Sequence, residues 1–431
     1  MPDKKNIVIL GAGFGGFRAA YLISKQLRRL KLGWHYRVIL IDRNDYQTYT
    51  PTLYEIATTS QTTANHLELK EIVTFSVYES ILGQEIEFIK TEVQRIDTIG
   101  GDIHCANGQR IRFDYLLLAL GSEPNFFGIP GLKEYAFTLK SFIDALRIRD
   151  QITLLVNDPE ERHLKIVVGG AGPTGVELAA ELKMWLCNVR TAPRPGCSAE
   201  VSIIDSGQTV LAPFGPGIAK RAERRLKKLG VNIIAGERVA ELTPDKVKLV
   251  SGKEIPCDLF VWTGGVKPNH LMSEMQMKLE PKSKRVVISS DMVCLPESEE
   301  LKFYGKIYAI GDVGCFINPK TGVPVPGTAR AAISQATIAS HNIIEEIKTA
   351  EEMTETPALK KYRPMNYPYI IPVGGKFAIA RVGRMIFSRL PGWIFKGLVE
   401  FNYLISILPI RLALKLWLKG LRIYIKNDNL G

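Results

Sequence analysis

The 431-residue sequence predicts an α/β protein with two similar strand–turn–helix domains and a C-terminal amphipathic segment. Two observations predict the domains. A G-x-G-x-x-G motif follows an apolar strand at residues 11–16 and again at residues 170–175, and in both cases the next apolar strand ends in an aspartate. A third observation predicts the segment: basic residues recur every three or four positions near the C-terminus, which places them on one stripe of a helix.

The glycines of the two loops have separate structural roles. The first allows the tight turn from strand to helix, the second lets a phosphate approach the backbone, and the third lets the helix pack closely on the strand. The phosphates then face the free N–H groups at the helix N-terminus. These glycines are Gly11, Gly13 and Gly16 in the first loop, and Gly170, Gly172 and Gly175 in the second. Both domains are therefore predicted to be Rossmann-like, each binding one dinucleotide.

The aspartates that end the second strands are Asp42 and Asp205. A carboxylate at this position accepts hydrogen bonds from the hydroxyls of a nucleotide ribose. Two sites imply two dinucleotides, and the economical pair is FAD at the first site and NAD(P)H at the second. Asp205 would repel the 2′-phosphate of NADPH and no Arg follows it directly, so the pattern favours NADH. The alternative interpretation is two ordinary glycine turns and two surface aspartates.

The composition is that of a globular protein, with 46% hydrophobic and 23% charged residues. A strand begins close to the N-terminus, which leaves no room for a signal peptide, and no apolar run reaches the ~18 residues of a membrane-spanning helix. The six cysteines form no C-x-x-C pair and have no metal-ligand spacing, so we expect unpaired thiols and no metal site. This pattern argues against a dithiol–disulfide reductase.

The net charge of +12 is concentrated near the C-terminus, where residues 376–426 contain ten Lys or Arg and one acid, Glu400. After Pro409 the basic residues form one helical stripe, and apolar residues fill the rest of the helix. The stripe consists of Arg411, Lys415, Lys419, Arg422 and Lys426. This pattern is typical of a helix in a membrane interface with its cations at anionic headgroups. The alternative is a helix packed on the protein core or at a homodimer interface. No nucleic-acid binding is expected.

Turn motifs at the ends of further apolar strands complete the predicted organisation. They lie at residues 119–121 (Ala-Leu-Gly), 263–265 (Thr-Gly-Gly) and 309–312 (Ala-Ile-Gly-Asp). We expect a split FAD-binding domain, an NADH-binding domain and a membrane-anchoring region. Their boundaries are residues 1–125 and 300–348, residues 126–299, and residues 349–431, respectively.

With these motifs the chain resembles the type II (non-proton-pumping) NADH:quinone oxidoreductase family, within the two-dinucleotide-binding flavoprotein superfamily. The resemblance extends from Asn6 to about Tyr424, and it includes the segment at residues 45–54 and the basic tail. It implies a peripheral membrane enzyme on the cytoplasmic face of the cell membrane. Such an enzyme passes a hydride from NADH to FAD and two electrons on to a membrane quinone.

The resemblance also implies roles for individual residues. Asp312 would hold the ribityl chain of FAD, and Pro51, Thr52 and Tyr54 would lie against its isoalloxazine ring. Glu177 would contact NADH or carry a proton, although an acid in a first helical turn also complements the helix dipole. Lys376 would lie near the quinone, although it is also one of many basic residues in the tail. Further FAD contacts are implied for Ala119, Gly121 and Gly311.

One segment departs from the family pattern. The family often has an Ala-Gln-x-Ala-x-Gln run where quinone is thought to bind, and Arg330 and Ser334 replace both glutamines here. Arg330 could polarise a quinone oxygen or pair with a carboxylate. Three other functions stay open: a sulfide:quinone reductase, which needs reactive cysteines, a ferredoxin-type reductase, which does not need the tail, and a non-enzymatic NADH-sensing flavoprotein.

Overall fold

A computed structural model of the chain describes residues 4–157, 163–189, 199–365 and 367–428. The chain divides into two compact units, and each contains one glycine loop. The first unit comprises residues 1–47, 75–123 and 266–367, and the second comprises residues 48–74, 124–265 and 368–431. The assignment of particular ranges to FAD, NADH and membrane binding stays a prediction.

The α-helices are numbered in chain order. They are α1 (Phe14–Arg29), α2 (Leu53–Ala57), α3 (His66–Val73), α4 (Val77–Ser80), α5 (Leu132–Tyr135), α6 (Phe142–Val156), α7 (Pro173–Val189), α8 (Pro216–Leu229), α9 (Ala329–Ala350), α10 (Leu390–Ile407) and α11 (Ile410–Asp428). Short 3₁₀ turns cover Thr50–Thr52, Ala212–Phe214, His270–Glu274 and Gly311–Val313.

The strands are numbered in the same way. They are β1 (Lys5–Leu10), β2 (Tyr36–Asp42), β3 (Tyr46–Thr48), β4 (Thr74–Ser76), β5 (Ile86–Lys90), β6 (Val93–Asp97), β7 (Asp102–Cys105), β8 (Arg110–Arg112), β9 (Tyr115–Leu118), β10 (Ser122–Pro124), β11 (Phe137–Thr138), β12 (Leu164–Gly169), β13 (Ala199–Asp205), β14 (Val231–Ala235), β15 (Val239–Leu242), β16 (Lys246–Leu249), β17 (Glu254–Pro256), β18 (Leu259–Trp262), β19 (Val266–Pro268), β20 (Val286–Val287), β21 (Lys306–Ala309), β22 (Gly314–Cys315), β23 (Tyr369–Pro372), β24 (Ala378–Val382) and β25 (Met385–Phe387).

The first unit is built on a parallel five-stranded sheet with the order β21–β9–β1–β2–β5. Residues 7–10 and 115–118 are continuous buried apolar runs, which is typical of parallel strands covered on both faces. In the register, Ile7 of β1 lies opposite Val38 of β2 and Tyr115 of β9. Because all these strands run the same way, the first glycine loop and the two turns after β9 and β21 meet at one edge of the sheet.

The second unit contains a parallel sheet with the order β11–β18–β12–β13–β14. Strands β12, β13 and β14 follow one another through α7 and α8. Because such crossovers are right-handed, both helices lie on the same face of the sheet. An antiparallel sheet, β15–β16–β17, contributes to an apolar cluster with β18 residues Phe260 and Trp262.

The C-terminal residues add an antiparallel sheet, β23–β24–β25, and two helices to the second unit. Strand β23 contacts α7, and α10 packs on β23 and β24. Gly392 allows this packing, because a Cβ there would lie 2.2 Å from the carbonyl oxygen of Ala378.

The helix predicted after Pro409 is confirmed as α11, and the prediction of a helix packed on the protein core holds for one of its sides. One side is packed on the protein: Ala413, Ile423 and Tyr424 are buried, and the Trp417 Nε1–H donates to the carbonyl oxygen of Gly397 at 3.0 Å. The opposite side is exposed. Helix α11 is therefore part of the core of the second unit as well as part of its surface. No described helix is both long and apolar enough to cross a membrane.

The apolar strands predicted around the motifs are confirmed as β1, β2, β9, β12, β13, β18 and β21. The prediction of unpaired thiols holds for four cysteines, which are free and buried: Cys105, Cys257, Cys294 and Cys315. It is wrong for Cys187, which is disulfide-bonded. A disulfide requires close Cβ atoms rather than C-x-x-C spacing, so the sequence pattern did not reveal it. Cys197 lies outside the described residues.

Candidate functional site

The first glycine loop connects β1 to α1 and has the backbone shape of a phosphate-binding turn. Gly11 has a φ of +101°, and a Cβ there would lie 2.4 Å from the carbonyl oxygen of Ala119. A Cβ on Gly16 would lie 1.9 Å from the carbonyl oxygen of Gly11, so only glycine lets α1 pack this closely. No atom lies within 4 Å of a Cβ built on Gly13, which leaves room for a pyrophosphate at the helix N-terminus.

Asp42, at the end of β2, fastens this loop. Its Oδ2 accepts a hydrogen bond from the Ala12 N–H (2.7 Å), and its Oδ1 accepts one from the Asn44 N–H (2.8 Å). Burial raises the pKa of Asp42, whereas these backbone hydrogen bonds lower it. A carboxylate oxygen has two lone pairs, so both oxygens can still accept from ribose hydroxyls. The loop and Asp42 together fit the adenosine diphosphate part of FAD.

The turn after β21 is held from two sides. Gly311 has a φ of +70°, and its N–H donates to Gln335 Oε1 at 2.7 Å. The Ser122 hydroxyl donates to Asp312 Oδ2 at 2.5 Å. Gly121, with a φ of +72°, turns the chain after β9 at the same edge of the sheet. The predicted residues Gly121, Gly311 and Asp312 therefore lie at the sheet edge that carries the first glycine loop.

A buried guanidinium supports the same turn. Arg285 donates to the carbonyl oxygens of Gly311 (3.1 Å), Gly314 and Val325 (3.1 Å). Burial lowers the pKa of Arg285, while Cys315 and Asp312 oppose that effect. Sequence reasoning missed Arg285 and Gln335, because nothing in their local sequence indicates which backbone groups they reach.

The second glycine loop repeats the geometry of the first. Gly170 has a φ of +102°, and a Cβ there would lie 2.5 Å from the Cα of Gly264. A Cβ on Gly175 would lie 1.9 Å from the carbonyl oxygen of Gly170, and the space around Gly172 is open to 4 Å. This loop can therefore hold a second pyrophosphate at the N-terminus of α7.

Asp205 fastens the second loop as Asp42 fastens the first. Its Oδ2 accepts from the Ala171 N–H (2.6 Å), and its Oδ1 accepts from the Gly207 N–H (2.7 Å). The carboxylate is thus already oriented by the backbone, with lone pairs left for a ribose diol. The residue after it, Ser206, is exposed and uncharged.

A buried ion pair in the second unit joins α2 to α10. Lys396 Nζ lies 2.7 Å from Glu55 Oε1, and the two side chains are only 15% and 11% exposed. The rings of Tyr54 and Tyr424 lie 5.8 Å and 5.4 Å from the same nitrogen, so aromatic faces cover the ammonium group. We name this group, with the neighbouring carboxyls described next, the lysine cluster.

Further carboxyl groups surround Lys396. The carboxyl side chains of the lysine cluster are Glu55, Glu177, Glu181 and Glu400. Burial raises the pKa of Glu177 well above its ordinary value, Lys396 opposes this, and Glu55 and Glu181 add to it. Burial alone would lower the pKa of Lys396, but Glu55 and Glu400 raise it above its ordinary value. The cluster therefore keeps Lys396 charged while neighbouring carboxyls retain protons at higher pH than usual.

The predicted flavin-contact segment is connected to this cluster. Thr52 is buried, its hydroxyl donates to the carbonyl oxygen of Tyr49 at 3.2 Å, and it is also hydrogen-bonded with the Tyr424 side chain. Pro51, beside it, is exposed. The contact of Pro51 and Thr52 with a flavin stays a prediction.

The side chain of Lys376 is not part of the lysine cluster, although its neighbour Gly375 contacts a member of the cluster, Glu181. It is exposed on the turn between β23 and β24, and it has no hydrogen bond or ion pair with any residue that the structure describes. The backbone of that turn reaches α7 instead, because Glu181 Oε1 accepts from the Gly375 N–H at 2.9 Å. The lysine that the structure brings to Glu177 is Lys396. Arg330 is exposed in the first turn of α9 and Ser334 is half-buried one turn later, and their roles stay predictions.

Glu400→Gln is expected to flatten the dependence of stability on pH. Burial raises the pKa of Glu400 from 4.5 to about 7. The folded state therefore binds the proton more tightly than the unfolded state, which stabilises the protein at low pH, and this contribution is lost as the pH rises through 7. A glutamine side chain stays neutral at every pH, so its contribution to stability does not change with pH. Denaturant unfolding between pH 5 and pH 8 measures the difference, and parallel profiles for the two proteins would contradict the assignment.

Comparison with known proteins agrees with this geometry. The family model for pyridine nucleotide-disulphide oxidoreductases matches residues 5–336. The type II NADH:quinone oxidoreductase of Mycobacterium tuberculosis is 26% identical over 426 residues, which cover 94% of this chain and 85% of the relative. The structure of NDH2 from Plasmodium falciparum in complex with NADH matches with a TM-score of 0.82 and 18% identity, over 100% of both chains.

The sulfide:quinone oxidoreductase of Aquifex aeolicus also has a similar structure. Its TM-score is 0.74 at 21% identity, over 94% of this chain and 91% of that one. At such identities the two structural matches establish the fold alone.

Proposed function

The chain belongs to the pyridine nucleotide-disulphide oxidoreductase family, and from that premise we propose that it is a type II NADH:quinone oxidoreductase. It oxidises NADH, uses FAD as its cofactor and reduces a quinone without pumping protons. One observation carries the proposal: a single chain contains two complete dinucleotide cradles, each with an open second glycine and its own loop-fastening aspartate. The relatives that bear this enzyme's name support the same assignment.

The residues of the chain bind and orient the two dinucleotides. The chemistry that FAD would supply when bound is acceptance of a hydride from NADH and transfer of two electrons to the quinone. The loop at residues 11–16 and Asp42 hold the pyrophosphate and ribose of FAD, and the loop at residues 170–175 and Asp205 do the same for NADH. The protein contributes orientation and electrostatics, while the cofactor supplies the redox chemistry.

We assign proton supply to the lysine cluster. Reduction of a quinone to a quinol consumes two protons. Lys396 holds one at Nζ, and Glu177 holds another on its carboxyl group because burial raises its pKa. A buried acid with a raised pKa is suited to donate a proton near neutral pH. Glu55 keeps Lys396 charged between turnovers through their 2.7 Å contact.

Steady-state oxidation of NADH with menaquinone and ubiquinone analogues tests the proposed function. We expect turnover that depends on the added quinone, and we expect acid precipitation to release non-covalent FAD. Recovery of FMN or of no flavin would contradict the cofactor assignment. NADH oxidation at a rate independent of quinone would favour an NADH-sensing flavoprotein instead.

The cysteines do not support the sulfide:quinone alternative. That chemistry needs reactive thiolates beside the flavin, and no cysteine follows Cys315 in the sequence. Cys294 and Cys315 are buried, and burial raises the pKa of each thiol above its ordinary value. Both therefore stay protonated and poorly nucleophilic at neutral pH.

We also propose that the second unit meets the cytoplasmic face of the cell membrane through an apolar surface on α10 and α11. Its members are large side chains that are 41–67% exposed: Leu390, Ile394, Leu398, Ile405, Ile410, Leu414 and Leu418. They recur every four or seven positions, so they form one stripe on each helix. Exposed cations flank the α11 stripe and match anionic headgroups: Arg411, Lys415, Arg422 and Lys426. Lys419 is not among them, because it pairs with Glu71.

Changing Leu398, Leu414 and Leu418 together to Gln is expected to weaken binding to vesicles by roughly tenfold or more. These side chains are about half exposed, so the change removes apolar contact with the lipid and little of the core. Co-sedimentation with vesicles measures the effect. A matched control changes Leu82, Leu154 and Val250 to Gln, because these residues are exposed and lie outside α10 and α11. Equal losses in the two variants would contradict the proposed surface.

A further inference from the structure

Helix α8 carries a second basic surface in the second unit. Residues 220–228 contain six Lys or Arg and one acid, Glu223. The Arg225 side chain is hydrogen-bonded within the protein, because it donates to the carbonyl oxygens of Val373 and Gly374 at 3.1 Å. The other basic residues are exposed and form no ion pair with any described residue: Lys220, Arg221, Arg224, Lys227 and Lys228. Four of these lie on one side of the helix, at spacings of four, three and one. We name Lys220, Arg224, Lys227 and Lys228 the basic stripe.

The basic stripe does not stabilise α8 itself. Like charges three or four positions apart on a helix repel each other, as at Lys220 and Arg224 or Arg224 and Lys228. Apolar residues on the opposite side hold the helix to the sheet, and these are Ile218, Ala219, Ala222 and Leu226. No described carboxylate forms an ion pair with the stripe, so its charge is available to an anionic partner.

The stripe lies on the side of the second unit that carries the C-terminal elements. Helices α7 and α8 share one face of the parallel sheet, β23 and α11 pack on α7, and β24 packs on α8. A Cβ built on Gly217, at the start of α8, would lie 3.8 Å from Cδ1 of Ile386 in β25. Arg384, in the turn before β25, and Met385, the first residue of β25, are both exposed, Met385 at 62%. The outer side of α8 is therefore continuous with the region that leads into the apolar surface of α10 and α11.

We propose that the basic stripe binds the anionic headgroups of phospholipids and so forms a second, purely electrostatic membrane contact. The proposal rests on the membrane association proposed above. Helix α8 exposes no large apolar side chain, so the stripe lies at headgroup level rather than inserting into the bilayer. Each basic side chain near such a surface multiplies the binding constant roughly fivefold. The contact would weaken as salt is added, because exposed charges are screened.

The test compares full-length proteins on vesicles of phosphatidylcholine alone and with added phosphatidylserine. In the stripe variant, Lys220, Arg224, Lys227 and Lys228 are all changed to Gln. We expect binding to the phosphatidylserine vesicles to fall at least ~tenfold at low salt, with binding to phosphatidylcholine unchanged. The matched control changes Lys25, Arg29, Lys267 and Lys320 to Gln, four exposed cations of the first unit, and removes the same net charge. NADH oxidation with a short soluble quinone should be unchanged in both variants.

The outcomes separate this proposal from the one on which it rests. If the unmodified protein binds neither kind of vesicle, membrane association fails and the stripe proposal fails with it. If it binds both kinds equally, or if the control loses as much binding as the stripe variant, association stands and the stripe is not a lipid site. Loss of DNA or RNA binding in the stripe variant, with vesicle binding intact, would assign the stripe to nucleic acid instead.

Discussion

Lys396→Met is expected to slow quinone reduction by about 100-fold while leaving flavin reduction by NADH within about twofold. The 2.7 Å contact with Glu55 and the surrounding carboxyls hold a charged ammonium group in a largely desolvated position. Removing it removes one proton donor and the cation that opposes protonation of Glu177. Stopped-flow spectroscopy separates the two half-reactions, because NADH bleaches the flavin and quinone restores its colour.

The single variant leaves Glu55 buried without its partner, which costs about 3–5 kcal/mol if the carboxylate stays charged. The double variant Glu55→Gln/Lys396→Met avoids that cost, so it separates loss of folding from loss of proton supply. We expect it to be more stable than the single variant and equally slow with quinone. Recovery of fast quinone reduction in the double variant would show that Lys396 serves only to neutralise Glu55.

Lys376→Met is the matched control for this experiment. The resemblance to the family assigned the quinone-end lysine to Lys376, which the structure leaves exposed on a turn. If that assignment holds, the Lys376 variant loses quinone reduction and the Lys396 variant does not. If proton supply lies in the cluster, the Lys376 variant keeps near-normal turnover. The pair of variants therefore decides between the two lysines.

The two glycine loops could be predicted from the sequence because the role of each glycine depends on residues close to it in the chain. Within six residues the glycine pattern predicts a backbone with positive φ, open space for a phosphate and a close contact between helix and strand. All three features are present at both loops. The acids at the ends of β2 and β13 were also local predictions. What the sequence did not indicate is that both carboxylates bind the backbone of their own loop. That detail depends on how the following turn places its N–H groups.

The lysine cluster could not be predicted in the same way, because Glu55 and Lys396 are 341 positions apart. One signal was present. Lys396 and Glu400 are four residues apart in a segment that is otherwise uncharged from residue 390 to residue 407. Charges inside an apolar helix usually find buried partners or a function. Counting Lys396 among the surface cations of the tail concealed that signal.

The C-terminal helix shows why amphipathicity alone is ambiguous. Its apolar residues divide between two environments: Ile423 and Tyr424 pack on the protein, whereas Leu414 and Leu418 face outward. A hydrophobic period of 3.6 residues indicates that one side of the helix is buried away from water. It does not indicate whether that side packs on the protein or contacts lipid. Truncation before Pro409 would remove Tyr424 from the lysine cluster, so point changes on the outer side are the better test of membrane binding.

The unmodified protein is expected to use NADH over NADPH by about 10- to 100-fold in kcat/KM, equivalent to ~1.4–3 kcal/mol. The physical reason is the Asp205 carboxylate, which accepts hydrogen bonds from a ribose diol and repels a 2′-phosphate. Because it also accepts the Ala171 and Gly207 N–H groups, replacing it would loosen the glycine loop as well as change specificity. Asp205→Ser is therefore expected to lower catalytic efficiency with both nucleotides and to reduce thermal stability.

Ser206→Arg is the cleaner test of nucleotide selection. The site is exposed and next to Asp205, so an arginine can reach a 2′-phosphate without disturbing the bonds that fasten the loop. We expect kcat/KM for NADPH to rise about tenfold, kcat/KM for NADH to change little, and the melting temperature to stay the same. Lys220→Arg, a conservative change farther along the chain, should leave the preference unaltered. Equal efficiency with the two nucleotides in the unmodified protein, or a Ser206→Arg variant without any gain for NADPH, would mean that the ribose does not lie against Asp205.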